Sequence, residues 1–198
     1  MTSTLVLASK SETRRMVLER AGVPFETVDS GVDEEALKTS MLRRGAGPRA
    51  VAEALAQEKA MAVSRTRPGL VIGADQTLEL DGALYDKAPD IHAARARLRA
   101  LRGKPHRLHA AVVVARDGRV QWRDLQSATL VMRNFSDAFL DAYLAQEGEA
   151  ALGSVGCYRL EGLGAQLFEK VEGDYFAILG LPLWGLLEFL RTEQLLSA

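Results

Sequence analysis

The sequence predicts an α/β fold built on a mixed, twisted β-sheet. Three observations carry that expectation. Short apolar runs suited to strands alternate with stretches of helical periodicity. No repeat, low-complexity tract or linker interrupts the 198 residues, which suffice for one sizeable core, divisible into two lobes, and are too few for two full domains. Two Asp-Gly pairs, at 81–82 and 117–118, separate runs of strand character and are strong hairpin signals, so part of the sheet must be antiparallel.

Leu5 to Ala8 is apolar throughout, as a short buried strand is, and a helix is expected from Arg14 to Ala21, stopped by Gly22. The stretch VPFETV returns as a strand. Residues 34 to 43 have helical character, and RRGAGP breaks the chain before a long helix from Arg49 to Arg65 that sets Val51, Leu55, Lys59 and Ala62 on one side. RPG ends it. LVIGADQTLELDGALYD then starts as an apolar strand, alternates at Leu78 and Leu80, and reverses at Asp81-Gly82. Residues 90 to 101 form an amphipathic helix capped by Asp90. Two longer strands, HRLHAAVVVARDG and RVQWRDLQSATLVM, join at Asp117-Gly118, and a helix runs from Ser136 to Gln146. The Gly-rich stretch 153–173 reads as loops and short strands. Pro182 opens a last helix whose Leu183, Leu186, Leu187 and Leu190 form a stripe better suited to a core than to an interface.

With 47% hydrophobic and 26% charged residues, the composition is that of an ordinary globular protein. A formal net charge of −1 gives no broad attraction to DNA, RNA or acidic lipid, so any phosphate must be held by a local group of cations. The single cysteine, Cys157, cannot close an intrachain disulfide and reads as a small buried thiol in a reducing compartment. No run approaches the roughly 18 apolar residues of a membrane span. The start, MTSTLVLASKSE, lacks a basic lead and a cleavage pattern, so a cytoplasmic location is expected.

Two stretches break local rules. In LASKSETRR, Arg14 and Arg15 stand at the positive end of a helix dipole, where cations are disfavoured. Ser9 and Glu12 have capping-box spacing, which explains those two residues and leaves the arginines unexplained. A strand, a polar turn and a helix start present free N–H groups, and Ser9, Lys10, Arg14 and Arg15 would make that turn a phosphate site. In VIGADQT, Asp75 follows a run that belongs in the core. It is either a turn residue after Gly73 or a carboxylate at the carboxyl end of a strand, where α/β folds hold ligands. Asp33 and Glu34 suit a helix start, Lys59 either snorkels or points into a cleft, and Lys87 alone would pass as a surface lysine.

Together these stretches resemble the Maf family of nucleoside triphosphate pyrophosphatases over nearly the whole chain. The matching motifs are LASKSETRR, GVPFETVDSGVDE, AQEKA, the GAD of VIGADQT, the lysine of DKAPD, and FAILGLPL, in shared order. Glu12 and Thr13 depart from the usual residues before the arginine pair, and Ala88 separates Lys87 from Pro89. The resemblance implies an elongated, two-lobed fold of the Maf and inosine-triphosphatase kind with a central cleft, a homodimer, and hydrolysis of a nucleoside triphosphate to monophosphate and pyrophosphate with Mg²⁺, Mn²⁺ or Co²⁺. It further implies Asp75 as general base and metal contact, Glu34 as metal ligand, Lys59 and Lys87 as catalytic cations, and Ser9, Arg14 and Arg15 as phosphate contacts.

At three positions that tend to separate branches of the family the chain carries Thr13, Gln76 and Glu161; Gln76 and Glu161 resemble the 7-methyl-GTP branch and not the dTTP/UTP branch. A carboxylate at 161 would accept from the N–H edge of guanine. A non-enzymatic nucleotide-binding regulator of cell division is the competing reading.

Overall fold

A computed structural model describes residues 4–197, so the first three residues of the start read above, and the last residue of the chain, lie outside it. Seven strands form one mixed sheet in the order β2-β1-β3-β5-β6-β7, with β4 paired to the far end of β3. In chain order the elements are β1 (Leu5–Ala8), α1 (Glu12–Arg20), β2 (Glu26–Val28), α2 (Glu34–Arg43), α3 (Pro48–Ser64), β3 (Leu70–Leu80), β4 (Ala83–Tyr85), α4 (Ile91–Leu101), β5 (Pro105–Arg116), β6 (Arg119–Met132), α5 (Asp137–Glu147), β7 (Phe168–Glu172), α6 (Tyr175–Ile178) and α7 (Trp184–Thr192). β1 runs parallel to β2 and β3, and all other pairings are antiparallel. Both Asp-Gly pairs make the expected hairpins: Asp81, Gly82, Asp117 and Gly118 all have positive φ, as a two-residue type I′ loop requires. No described helix is long and apolar enough to cross a membrane.

The position of the cleft follows from strand lengths. β1 pairs with β3 only from Leu70 to Gly73, and β4 pairs with it only from Leu78 to Leu80. Between them residues 74 to 77 form an open stretch of β3's edge. Because side chains alternate across a strand, Asp75 and Gln76 point to opposite faces of the sheet, yet both border that gap. Asp75 is therefore not at the end of its own strand, as expected above, but just beyond the carboxyl end of its parallel neighbour β1. The crevice expected there is supplied by β1's early stop.

The core is divided about this gap. Leu5, Leu7, Leu18, Ile72, Val114 and Leu186 belong to one apolar cluster, and Leu78, Leu98, Leu108, Leu130, Phe135 and Leu140 to another, at opposite ends of the long strands. Leu183, Leu186 and Leu190 are buried in the first, as the stripe on the last helix implied. A third group, nearly all alanine (Ala52, Ala56, Ala60, Ala111, Ala115, with Val113), lets α3 lie close against the sheet. Gly73 brings it closer still. A Cβ at Gly73 would overlap the Ala56 carbonyl oxygen and lie 2.5 Å from the Ala60 nitrogen. We expect Gly73→Ala to cost about 1–3 kcal/mol, read as a lowered urea midpoint, because α3 must move away from β3.

Two local expectations are corrected and one short helix is added. α1 begins at Glu12, earlier than expected, because Ser11 and not Ser9 is its N-cap: the Ser11 hydroxyl accepts from Arg14 N at 3.3 Å. α6, a short helix not expected from the sequence, is set by Asp174, whose carboxylate accepts from Ala177 N at 2.8 Å. α7 starts two residues after Pro182.

Candidate active site

Three separate elements deliver the side chains that meet in the gap. α3 packs so tightly over Gly73 that Lys59, buried on its inner side, reaches down to β3, where its Nζ lies 2.7 Å from Asp75 Oδ1. The same ammonium is 2.9 Å from Glu34 Oε1 at the first turn of α2. The neighbouring acids at that helix start divide the work. Asp33 caps α2, accepting from Ala36 N at 3.0 Å, and Glu34 turns to Lys59.

The β1–α1 turn supplies the third part. Arg14 donates through Nε to Gly180 O (2.9 Å) and through Nη1 to Ser9 Oγ (3.3 Å). These partners are neutral, so the guanidinium keeps its charge for another anion. Burial pulls its pKa downward, and the nearby Asp75 and Glu34 carboxylates oppose that shift. Ser9 Oγ also accepts from Ser11 N at 3.2 Å, which fixes the turn. Asp75 shows the converse shift. Burial raises its pKa, against the pull of Lys59 and Arg14. A carboxyl raised in this way is the stronger proton acceptor once ionised.

The cleft is lined by the cations Lys10, Arg14, Lys38, Lys59, Lys87 and Arg159 and the acids Glu34, Asp75, Asp86 and Glu161, with Ser9, Thr13 and Gln76 among them. A polyanion is what such an excess of fixed cations attracts. Arg15 is not brought there. It pairs with Glu12 and with Glu19 (3.8 Å) on the exposed side of α1, because successive residues on a helix point about 100° apart and only Arg14 faces the gap. The structure therefore places Arg15, expected as a phosphate contact, outside the lining of the cleft. Gln76 donates its amide to both Ala177 O and Ile178 O at 2.9 Å, so what it offers a ligand is a carbonyl oxygen.

Sequence reading passed over Lys38 and Arg159. Lys38 bridges α2 to Asp86, next to Lys87, and also lies 3.0 Å from Glu35. Its spacing of four from Glu34 was a legible signal, since both lie on one helix face. Arg159 had none, because its partner Glu147 lies on another element. Cys157 is buried outside the lining and its thiol is pushed up by burial, which suppresses the reactive thiolate.

A model of a known family, described as "Maf-like protein", matches residues 4–193. The chain belongs to the Maf family. Among its relatives, the nucleoside triphosphate pyrophosphatase of Caulobacter vibrioides is 60% identical over 193 residues, covering 98% of this chain and 97% of that one. The protein of the same name from Paramagnetospirillum magneticum is 56% identical over 189 residues, 95% of this chain and 97% of its own. The 7-methyl-GTP pyrophosphatase of Brucella abortus is 47% identical over 195 residues, 98% of each chain. In this member of the Maf family the mixed sheet bears out the α/β class expected from the sequence.

The donor set at the gap also bears on a metal. Glu34 and Asp75 both lie within hydrogen-bond distance of one ammonium, so the two carboxylates are neighbours. Among the described residues no three His, Cys, Asp or Glu side chains are grouped to enclose an ion. Two carboxylates fit Mg²⁺, which keeps waters and takes phosphate oxygens for the rest of its shell, and do not make a closed cage of the zinc type.

Proposed function

We propose that this chain hydrolyses a nucleoside triphosphate to the monophosphate and pyrophosphate, with a divalent cation held by Glu34 and Asp75. The observation that carries the reading is Lys59, buried between Asp75 and Glu34 at the foot of a cation-lined cleft. The names of the relatives support it.

In this reading Asp75 accepts the proton of a water, through the oxygen that Lys59 does not occupy, as the water oxygen forms its bond to the α-phosphorus. The bond to the bridging oxygen breaks and pyrophosphate leaves with the electron pair. Lys59, Arg14 and Lys87 hold positive charge where anionic oxygens gather, and Ser9 adds a hydroxyl contact. Lys59 also keeps Asp75 ionised against the effect of burial. A bound divalent cation supplies charge neutralisation at the phosphates and a more acidic water. Thr13, Gln76 and Glu161 border the part of the cleft left for the base, with 7-methyl-GTP as the leading substrate: Gln76 and Glu161 both present acceptors to a guanine N–H edge. The chain acts as one unit, as a homodimer in the cytoplasm.

The test is a panel of ordinary and modified triphosphates, 7-methyl-GTP, dTTP, UTP and CTP included, with Mg²⁺, Mn²⁺ or Co²⁺. Equimolar monophosphate and pyrophosphate are expected. Orthophosphate as the first product, or nucleotide binding with no hydrolysis of any member, would reject the reading in favour of a binding protein. Arg14→Met should raise KM about tenfold or more, since it removes a charge-assisted phosphate contact and leaves the base in place.

A further inference from the structure

One wall of the cleft is the segment from Gly153 to Glu161, and it contains an ion pair of unusual make-up. Arg159 donates Nε to Glu147 Oε2 at 3.0 Å, and its Nη2 lies 2.9 Å from the same oxygen. The Glu147 side chain is only 2% exposed, whereas that of Arg159 is 45% exposed. Burying a carboxylate at the end of α5 costs several kcal/mol, and an ordinary surface pair does not need it. What the buried acid achieves is orientation. It occupies the Nε–Nη2 edge of the guanidinium and leaves Nη1 as the donor for a ligand. The backbone is fixed as well: a Cβ at Gly164 would overlap the Arg159 carbonyl oxygen and lie 2.7 Å from its nitrogen, so the turn at 163–167 clamps Arg159 from behind.

The surroundings say which ligand group this donor meets. Arg159 is already paired with Glu147, and Glu161 lines the same wall of the cleft, so this wall carries less free positive charge for a phosphate than the side that holds Arg14, Lys59 and Lys87. Phosphate is served instead by Arg14, Lys59 and Lys87. On the same cleft Glu161 and the Gln76 carbonyl are acceptors. One donor beside acceptors is complementary to a base edge that carries a carbonyl next to a ring N–H.

We propose that Arg159 is a specificity-determining residue: its Nη1 donates to the exocyclic carbonyl of a keto base, O6 of a guanine-type purine or O4 of a uracil-type pyrimidine, while Glu161 accepts from the adjacent ring N–H. This rests on the triphosphate reading above and narrows it. Adenine and cytosine place an amino group against the guanidinium and a lone pair against the carboxylate, so both contacts become repulsive.

The experiment compares kcat/KM within two pairs, GTP against ATP and UTP against CTP, for the parent protein, Arg159→Met, Arg159→Lys and Glu147→Gln. The parent should prefer the keto member of each pair by about tenfold or more. Arg159→Met should lose most of that preference through slower turnover of GTP and UTP, with ATP and CTP unchanged. Arg159→Lys, which keeps the charge and loses the planar fork, and Glu147→Gln, which frees the guanidinium, should fall between. The proposal is overturned if the parent shows no preference in either pair, if Arg159→Met keeps the parent ratios, or if it weakens all four substrates equally as loss of a phosphate contact would. Should the parent hydrolyse neither these four nor 7-methyl-GTP, the triphosphate reading fails on its own account. Thermal shifts with GMP against AMP then decide: stabilisation selective for GMP and lost in Arg159→Met upholds base recognition, and equal shifts reject it.

Discussion

Asp75→Asn should lower pyrophosphate release by about 10²–10⁴-fold, the range a positioned general base contributes, while the fold persists. Asparagine keeps the size and the oxygen that accepts from Lys59, and it cannot take a proton from water. At saturating divalent cation the effect should fall mainly on kcat, because the side-chain cations Arg14, Lys59 and Lys87 are untouched. Stability moves the other way. Burial raises the Asp75 carboxyl in the folded chain above its ordinary value of 3.8, so ionising it as pH climbs through the folded value subtracts from stability. The variant lacks that loss. It should melt at or above the parent's temperature at pH 8, with the gap closing below pH 3.8, where the parent carboxyl is protonated in both folded and unfolded chains. A variant that keeps near-parental turnover would remove Asp75 from the chemistry.

Lys59→Met should be the more damaging substitution overall. The buried ammonium is shared by Asp75 and Glu34, at 2.7 and 2.9 Å, and methionine fills its volume without its charge. Removing one member of a buried pair costs about 3–5 kcal/mol when the other stays charged. Asp75 has a way to reduce that cost, which is to bind a proton. The loss of the Lys59 contact should therefore carry the Asp75 carboxyl further upward, and the acid limb of the kcat/KM profile should shift to higher pH. The measurement is the pH profile of the variant beside its urea midpoint. A variant with slower turnover and an unmoved acid limb would mean that Lys59 acts only on substrate and does not keep Asp75 ionised.

Much of the architecture was legible because local rules and tertiary packing agreed. The Asp-Gly pairs require positive φ at both loop positions wherever the rest of the chain lies, and both became hairpins. The long helix, expected over residues 49–65 and found over 48–64, was marked by its period and by the RRGAGP break before it. The candidate site was legible where a residue was out of place for its element: Asp75 in an apolar strand, Lys59 on an apolar helix side, arginines at a helix start. Arg15 shows the limit of that signal. Two adjacent arginines look alike in the chain, and only the rotation of α1 against β1 decides that Arg14 enters the gap while Arg15 pairs with Glu12 and Glu19. The cap at Ser11 in place of Ser9 is a similar case, since either serine satisfies the composition rule and only one has the right backbone geometry.

By itself the sequence determined the mixed α/β class, the hairpins, the core stripe of the last helix and, through its motifs, membership of the Maf family. Those follow from properties carried by neighbouring residues: period, turn chemistry and order along the chain. Only the tertiary structure decided that β1 stops early enough to leave residues 74–77 open, that Gly73 lets α3 close until Lys59 joins Asp75 to Glu34, and that a buried Glu147 pairs with Arg159 in the cleft wall. Each of these is a distance between residues far apart in the chain, set by how layers pack, and packing distances are not encoded in any one segment.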